Sequence, residues 1–468
     1  MADRRMDKFF NPKSVAIIGA SRSPKKIGHI IFRNFIEGGY AGKVYPVNPK
    51  TGDLFGHECY SSVLRIDGRV DLAVIAIPAP VVPAVLRQCG KKGIRAVIIV
   101  SGGFKEIGRK DIEDNIRKIA KKYGIRVLGP NGLGVYDAYS CVDTIFNPRY
   151  KLERPEEGRI SLMSQSGATM SVLLDWMSMK GYKASKFISY GNATDIDEAD
   201  LAEYLAEDDK TNVICIYFEG VKRGRKFYET VKKLSGKIPI IALKGGVTKA
   251  GHRAVSSHTG NLAGESAVYS AAFKQAGIIE AEDLEQIFDF ARVLSTQPTP
   301  KGSRVQIITD GGGFGVLTAD WVMKNGLQLA QLQKSSTDCL EELTPDHAVI
   351  SNPIDLTGDA TTEMYEKAIN TSLNDKNVDM IVVVALFQPP LLTADVTDVI
   401  SDAARKKKKP IVVVSAGGRY TEVLKKSLED SDVPCFSYPE RAVSALKALH
   451  DYGRIKNNQP LYPTTFFR

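Results

Sequence analysis

The sequence predicts an α/β protein made of three doubly wound domains. Short β-branched, apolar runs alternate with amphipathic stretches, and this alternation restarts twice along the 468 residues. Runs that are apolar on both faces are typical of parallel strands covered by helices. Regular strand–helix alternation implies right-handed crossovers and an open sheet. The length also fits more than one domain of ordinary size.

The first series predicts a Rossmann-like domain over residues 1–145. Its runs are, in order, SVAIIGA (14–20), KVYPVN (43–48), DLAVIAIP (71–78), RAVIIVSGG (95–103) and RVLGP (126–130).

Two further series predict flavodoxin-like domains over residues 146–297 and 298–468. The second series consists of RISLMSQSG (159–167), KFISYGN (186–192), NVICIYFEG (212–220) and IPIIALKGG (238–246). The third consists of SRVQIITDGGG (303–313), DMIVVVALF (379–387), KPIVVVSAGG (409–418) and VPCFSYPE (433–440). Polar, proline-containing breaks at 147–158 and 295–302 separate the three series.

Composition excludes several classes of protein. With 43% hydrophobic and 25% charged residues the chain has the balance of a soluble globular protein. No apolar run approaches the roughly 20 residues of a membrane span, and no signal-peptide core follows the N-terminus, so we expect a cytoplasmic protein without membrane contact. The net charge of +9 comes from dispersed Lys and Arg without a recognition motif, which argues against nucleic-acid binding. Six widely spaced cysteines without CxxC indicate neither a metal site nor a disulfide framework.

Glycine-rich turns follow the strands of the first domain, at the edge where open α/β sheets bind ligands. The first turn, GASRSPKKIG, is not a GxGxxG motif, and the second strand ends in Asn48 and Lys50 rather than in an acid. A basic strand end favours a phosphorylated ribose over that of NAD. Any one of these turns alone is an ordinary strand–helix connection, but five at one edge indicate a nucleotide-type ligand.

The second and third domains each open with a strand, a small-residue turn and a helix: SQSG before one helix and TDGGGFG before the other. Free backbone N–H groups and the helix dipole make such a start suitable for a phosphate. We therefore expect a phosphate between two helix starts, with the Ser164 and Ser166 hydroxyls beside it. A side chain at Gly167 or Gly313 is expected to crowd those N–H groups and to demand a strained φ.

The segment AGHRAVSSHTGNLAG (250–264) places His258 among small residues with few apolar anchors. This composition predicts a flexible tether that carries the imidazole. His252 in the same segment is the rival candidate, and an exposed loop histidine is the alternative without function.

Taken together, SQSGATMSVLLDW, GNATDIDEADLAEYL, YFEGV, KGG, AVSSHTGNLAG and TDGGGFGVLTAD resemble the α subunit of ADP-forming acyl-CoA synthetases, relatives of succinyl-CoA synthetase. The resemblance covers nearly the whole chain, and the order of the motifs matches. It implies that His258 is the transiently phosphorylated histidine and that Glu219 hydrogen-bonds and orients it.

The same resemblance implies two phosphate-binding helix starts and a coenzyme A pocket. The first helix start matches Ser164, Gln165, Ser166 and Gly167, and the second matches Gly312, Gly313, Phe314 and Gly315. The coenzyme A pocket matches Gly19, Ser21, Gly28, Asn48, Lys50, Pro78, Val81, Ser101, Gly102, Gly103 and Asn131.

Domain content implies a partner subunit. The α subunits of succinyl-CoA synthetase resemble only the first two domains, and the ATP-grasp domain of the family has no counterpart in this sequence. The resemblance therefore implies an ATP-grasp β subunit that binds ADP or ATP with Mg²⁺, an α2β2 heterotetramer, and a small carboxylic acid as substrate. No motif names the acid.

Three other interpretations stay open at this stage. The chain could serve a ligase of the succinate type. It could be a non-catalytic regulator that binds coenzyme A or NAD, although the intact Ser164–Gly167, Glu219 and His258 set argues against that. It could also regulate an acyltransferase module, of which the sequence shows no sign.

Overall fold

The computed structural model describes residue 3 and residues 5–259, 266–342 and 348–459, with the backbone alone for residues 256–259. The chain forms two compact units, Met1–Glu282 and Asp283–Arg468. The boundary predicted at residue 297 lies one helix beyond this division, because the helix Leu284–Thr296 packs within the second unit. No helix in the described part of the chain is long and apolar enough to cross a membrane.

The first unit begins with a parallel sheet in the order β2–β1–β5–β6–β7. Its strands, with a small β3–β4 hairpin, are β1 Ser14–Ile18, β2 Lys43–Val47, β3 Asp53–Leu54, β4 His57–Glu58, β5 Leu72–Ile75, β6 Ala96–Ile99 and β7 Arg126–Leu128. Its helices are α1 Ile27–Glu37, α2 Val82–Lys92 and α3 Lys110–Tyr123. Strands β1, β5 and β6 are buried along their whole length, as the apolar runs predicted. The winding direction reverses between β1 and β5, which is where such sheets bind ligands.

A second sheet in the same unit has the order β13–β12–β11–β9–β10–β8, with β8 antiparallel at the edge. Its strands are β8 Gly134–Asp137, β9 Glu157–Ser164, β10 Ala184–Ser189, β11 Val213–Phe218, β12 Ile240–Lys244 and β13 Ile279–Glu280. Its helices are α4 Gly167–Met179, α5 Glu198–Glu207, α6 Gly224–Leu234, α7 Lys249–Thr259 and α8 Ser266–Ala276. When the parallel strands are numbered along the chain from β9, their spatial order across the sheet is 2-1-3-4-5. This order confirms the flavodoxin-like prediction.

The two sheets of the first unit share one hydrophobic core. Phe10 stacks on Tyr204 of α5 at 4.8 Å between ring centroids. Where β7 ends, the carbonyl oxygens of Gly129 and Pro130 accept hydrogen bonds from the backbone N–H groups of Thr194 and Asn192, at 3.1 and 2.9 Å. The exit of β7 and the loop after β10 are thereby held together.

Arg126 ties the two sheets electrostatically. Its guanidinium lies 2.8 Å from a carboxylate oxygen of Asp3, 2.9 Å from Asp195 and 3.0 Å from Asp200, and the Arg126 side chain is only 14% exposed. Asp195 and Asp200 belong to the second sheet's region, whereas Arg126 opens β7 of the first. Removing this arginine would leave three carboxylates close together without their shared cation.

The second unit is built on a sheet in the order β16–β17–β14–β18–β19–β20, with β15 also paired to β14. Its strands are β14 Arg304–Thr309, β15 Gln328–Leu329, β16 Val349–Ile350, β17 Ile354–Asp355, β18 Met380–Val384, β19 Ile411–Val414 and β20 Cys435–Phe436. Its helices are α9 Leu284–Thr296, α10 Gly312–Lys324, α11 Lys334–Glu341, α12 Thr362–Asn374, α13 Val396–Arg405, α14 Arg419–Asp430 and α15 Pro439–Lys456. If β15 and β17 are counted as one interrupted strand, the order again reads 2-1-3-4-5.

The second and third sheets repeat one design. In each, the first strand leads into a helix that carries an Asp–Trp pair, with the tryptophans at Trp176 of α4 and Trp321 of α10. Each tryptophan carbonyl accepts a 3.0 Å hydrogen bond at the end of its helix, and a glycine with φ near +70° follows, Gly181 in one case and Gly326 in the other. The chain contains two tryptophans, so this repeat places one in each unit.

Replacement of Arg126 by methionine should destabilise the first unit by about 3 kcal/mol, since it breaks a largely buried ion pair and leaves Asp195 without its cation. Urea unfolding followed by tryptophan fluorescence in a Trp321→Phe background reports the first unit through Trp176. The matched control is Arg225→Met, because Arg225 is 91% exposed beside Glu229 and its loss should cost less than about 1 kcal/mol. Equal losses in the two variants would contradict the assigned role of Arg126.

Candidate active site

The turn between β9 and α4 binds its own backbone. The Ser164 hydroxyl donates to the Ser166 carbonyl at 2.7 Å and accepts from the Ser166 N–H at 3.1 Å. The Ser166 hydroxyl caps the helix by accepting from the N–H of Thr169. The first N–H groups of a helix have no acceptor within the helix, so those at Gly167 and Ala168 can serve an anion.

The structure corrects the expectation that the Ser164 hydroxyl faces the phosphate. Ser164 is fully buried at the end of β9, and its hydroxyl is used within the turn. It shapes the helix start, whereas Ser166 and Gly167 border the open space beside it.

Glu219 follows β11, the strand beside β9, and is therefore at the switch point of the second sheet. The Gln165 side-chain oxygen accepts from the backbone N–H groups of Glu219 and Gly220 at 2.8 and 3.3 Å. The Gln165 N–H donates to the Tyr217 carbonyl at 3.0 Å. Gln165 thus fixes the distance between the helix start and the loop that carries Glu219.

Burial shifts the pKa values of two groups near Glu219, the Lys244 ammonium and the Tyr217 hydroxyl. Burial lowers the pKa of Lys244, at the end of β12, although the Glu219 carboxylate opposes this shift. Burial raises the pKa of Tyr217, and the Glu219 charge adds to the effect. The Lys244 ammonium lies 5.1 Å from the ring centroid of Tyr269 and donates to the Gly245 carbonyl.

Position 258 is within α7, and the side chain of His258 lies outside the described residues. The tether predicted from small residues is helical from Lys249 to Thr259. Alanine, lysine and arginine in this stretch favour helix, and this preference outweighs the glycine and serines. The rival His252 lies on the same helix, with its N–H bonded to the Thr248 carbonyl.

Ten of the predicted coenzyme A residues follow strands of the first sheet, and the remaining one, Gly28, is in the first turn of α1. Gly19 has φ +98°, and a Cβ at Gly28 would overlap the Gly19 carbonyl oxygen. Both glycines are therefore needed for α1 to start against β1. The Asn48 amide donates to the Ala20 carbonyl at 2.6 Å and its oxygen accepts from the Lys50 N–H at 2.9 Å, so Asn48 holds the ends of β1 and β2 together.

Exposure and hydrogen bonding divide the remaining members of this set. Lys50, Pro78, Val81, Gly102 and Asn131 are exposed, and Ser21 is half-buried. The Ser101 hydroxyl donates to the Ile77 carbonyl at 2.6 Å and accepts from the Ile77 N–H at 3.1 Å, so it links strand ends. The Gly103 N–H donates to Glu106 at 2.6 Å. Two members predicted to face the ligand, Ser101 and Gly103, are thus engaged within the protein.

A cleft of about 400 Å³ joins the two sheets of the first unit. It brings together five of the predicted residues: Asn131 from the first sheet, and Gln165, Ser166, Gly167 and Glu219 from the second. Residues that sequence reasoning missed complete its wall: Val100, Lys105, Glu106, Gly132, Leu133, Phe146, Asn147, Ala168, Ser171, Gly191, Asn192 and Lys222.

Two of the missed residues carry a sequence signal. Asn192 ends the run KFISYGN, and Lys222 stands three residues after Glu219, so both follow strand exits of the second sheet. The Asn192 amide donates to Glu106 at 2.8 Å and to Glu113 at 3.1 Å. Burial opposes ionisation of Glu106, but hydrogen bonds from Asn192 and from the N–H groups of Phe104 and Gly103 lower its pKa.

The helix start of the second unit has the same turn. The Thr309 hydroxyl donates to the Gly311 carbonyl and accepts from the Gly311 N–H, both at 3.0 Å. In place of Gln165 stands Asp310, whose carboxylate accepts from the Leu386 N–H at 3.0 and 3.1 Å. Burial raises the pKa of Asp310 to about 6. Leu386 occupies the place that Glu219 has in the first unit. The second unit therefore retains the helix start but has no counterpart of the Glu219 carboxylate.

The glycines of the two helix starts differ in their packing. Gly312 lies against Asp355, and Gly315 is buried against Thr309 and Pro353, beside the half-buried Phe314. The expectation of strain at Gly167 and Gly313 is wrong, because neither has a positive φ. A Cβ at Gly167 would lie an ordinary 3.6 Å from Leu133, and one at Gly313 would have no described atom within 4 Å.

Three family models match consecutive segments of the chain. They describe a CoA binding domain (residues 13–138), a succinyl-CoA ligase-like flavodoxin domain (157–294) and a Ligase-CoA domain (305–460). Together with the sheets and the cleft, this succession defines an acid–thiol ligase that uses coenzyme A.

Similar proteins of known name and of known structure identify the family within this class of ligases. The α subunit of acetate–CoA ligase [ADP-forming] I from Pyrococcus furiosus is 42% identical, over 96% of this chain and 98% of its own. An acetate–CoA ligase [ADP-forming] from Methanocaldococcus jannaschii is 41% identical, over 95% of this chain and 63% of its own longer chain. The acetyl-coenzyme A synthetase 1 of Ca. Korarchaeum cryptofilum, solved with phosphate and ADP, is 36% identical with a TM-score of 0.91, over 98% of both chains. The chain belongs to the family of ADP-forming acetate–CoA ligases.

Replacing Gly167 or Gly313 by valine should leave folding intact but abolish phosphate capture at the affected helix start. The backbone accepts a Cβ at both positions, so each change should cost less than about 1 kcal/mol, whereas the side chain covers the first-turn N–H groups. Melting temperature and acid-labile phosphate label are measured on the same preparations. Gly28→Ala is the contrasting control, because its Cβ overlaps the Gly19 carbonyl and should lower the melting temperature. Normal labelling in folded Gly167→Val and Gly313→Val would show that neither turn holds the phosphate.

Proposed function

We propose that this chain is the α subunit of an enzyme that converts an acyl-CoA, ADP and phosphate reversibly into the free acid, CoA and ATP, through an acyl phosphate and a phosphohistidine. The observation that carries the proposal is the cleft in which Asn131, at the coenzyme A edge, faces the same space as Ser166, Gly167 and Glu219. A thioester and a phosphate can meet there.

In the first step a phosphate oxygen attacks the thioester carbonyl carbon. The carbon–sulfur bond breaks, coenzyme A leaves as the thiol after taking up a proton, and an acyl phosphate remains. The N–H groups at the start of α4 supply donors where negative charge develops, and such preorganised donors are a major source of rate enhancement.

In the second step an imidazole nitrogen of His258 attacks the phosphorus. The bond from phosphorus to the acyl oxygen breaks, the carboxylate leaves, and phosphohistidine forms. Imidazole suits this role because it is nucleophilic near neutral pH. Glu219, fixed by Gln165, would accept a hydrogen bond from the N–H of the other ring nitrogen and hold the ring in one tautomer.

The last step passes the phosphoryl group to ADP on a second polypeptide. An ATP-grasp β subunit would bind ADP or ATP with Mg²⁺ and assemble with this chain as an α2β2 heterotetramer. The proposal is supported by the Pyrococcus furiosus relative, which is named as an α subunit. It is also supported by the Methanocaldococcus jannaschii relative, of whose longer chain this sequence spans 63%.

The substrate would be a small carboxylic acid such as acetate, the acid in the names of the relatives. The enzyme would work in the cytoplasm. Six free cysteines support this location, since thiols persist in reducing compartments.

The central test is phosphorylation of the full chain. Incubated with acetyl-CoA and labelled phosphate, the wild type should gain one acid-labile, base-stable phosphoryl group, and His258→Asn should gain none. The label should pass to ADP only after the ATP-grasp partner is added. Full labelling of His258→Asn would move the site, with His252 next in line, and ATP formation by the purified chain alone would exclude the division of labour.

Replacing Glu219 by glutamine should lower turnover by about 10²- to 10⁴-fold, which is typical for loss of an acid–base partner, with little change in KM for coenzyme A. The Gln165 contact involves the Glu219 backbone and should persist. Glu229→Gln removes an exposed carboxylate on α6 and serves as the control. Unchanged turnover in Glu219→Gln would reduce Glu219 to a structural residue of the strand exit.

A further inference from the structure

The cleft of the first unit carries a balance of charges. Among the described residues that line it, two are carboxylates, Glu106 and Glu219, and two are ammonium groups, Lys105 and Lys222. A phosphate entering this space would be repelled by the carboxylates unless a cation faced it. Among the described lining residues, Lys105 and Lys222 carry the side chains that can supply such a cation.

Lys222 is the better placed of the two. It stands three residues after Glu219, on the loop that Gln165 fixes to the helix start of α4. Its ammonium donates to the Asn192 carbonyl and lies 3.5 Å from the Ala193 carbonyl. Lys105 belongs instead to a short 3-10 helix, Lys105–Ile107, on the coenzyme A side.

The ammonium group of Lys222 is held by backbone carbonyls and by a long ion pair with Glu113. An ammonium group has three N–H donors, and the described carboxylate that meets Lys222, Glu113, is 4.0 Å away, beyond hydrogen-bond distance. Burial lowers the pKa of Lys222, and the nearby charges of Lys105 and Arg117 lower it further. The carboxylates of Glu113 and Glu198 act in the opposite direction. The charged form of a partly desolvated ammonium group is stabilised when an anion binds beside it.

We propose that Lys222 is a further catalytic residue of the cleft, whose ammonium group contacts the phosphate, as inorganic phosphate or as the acyl phosphate, opposite the start of α4. This inference rests on the proposed function. The loop after β11 would then supply two groups. Glu219 would contact the histidine, and Lys222 would contact the phosphoryl oxygens.

The position of Lys222 separates this phosphate from the ribose phosphate expected at the basic strand end. Lys50, at that strand end, follows β2, whereas the cleft is beside the exit of β7. In the order β2–β1–β5–β6–β7, four strand spacings of about 4.8 Å separate β2 from β7, or about 19 Å. A phosphate at Lys222 is therefore distinct from a phosphate bound where β2 ends.

The test compares Lys222→Gln with Lys222→Arg in the full chain assembled with its partner, in the direction of ATP formation. Loss of a charge-assisted contact should raise KM for phosphate by about 10- to 100-fold in Lys222→Gln, while KM for acetyl-CoA changes less than about twofold. Lys222→Arg keeps the charge and should retain most of the phosphate affinity. Lys226→Gln is the matched control, since Lys226 pairs with Asp197 and Asp200 and does not line the cleft.

Direct titration of the full chain with inorganic phosphate gives a readout independent of turnover. If the wild type shows no turnover but binds phosphate, and Lys222→Gln loses that binding, the proposed function is wrong and the anion site at Lys222 still stands. A wild-type KM for phosphate in folded Lys222→Gln, or equal rises in KM for phosphate and acetyl-CoA, would overturn the role of Lys222. If Lys222→Gln does not fold, Glu113→Gln removes the opposing charge and should lower KM for phosphate; an unchanged or higher value would contradict the proposal.

Discussion

The turn from β9 into α4 is the constraint on which the rest of the site depends. A helix that starts directly after a buried strand leaves N–H groups without acceptors, and these are useful to an anion only if the turn stays open and rigid. The Ser164 hydroxyl makes the turn rigid by bonding to the Ser166 backbone. The Gln165 side chain bonds the turn to the loop after β11. Because the side chains satisfy the turn internally, the N–H groups at Gly167 and Ala168 remain for a ligand.

From this turn the placement of the other groups follows. Gln165 positions the loop that carries Glu219, and the same loop reaches Lys222, whose ammonium bonds to the loop after β10. That loop is bonded to the exit of β7 in the first sheet. A series of hydrogen bonds from side chains and backbone thus connects the exit of β7 to the loop that carries Glu219, and the cleft forms between sheets that share one core.

The repeat between the two units shows which parts of this design are general. The Ser/Thr turn, the helix start and the Asp–Trp pair occur in both, whereas Glu219 is replaced by Leu386 and Gln165 by Asp310. The open helix start is therefore shared by both copies of the fold, and Glu219 is present in one copy only. A buried carboxyl group at the second start places a titratable charge where the first has a neutral amide.

The sequence by itself determined the three sheets, the strand order class and the position of each helix start, because apolar periodicity and small-residue turns are local signals. It also determined the family, through motifs that are continuous in the chain. Only the tertiary structure decided that the Ser164 hydroxyl turns inward and that Ser101 links strand ends. It alone joined Lys222 and Asn192 to the cleft, since hydrogen bonds between strand exits arise from pairing residues far apart in the chain, and no local pattern encodes them.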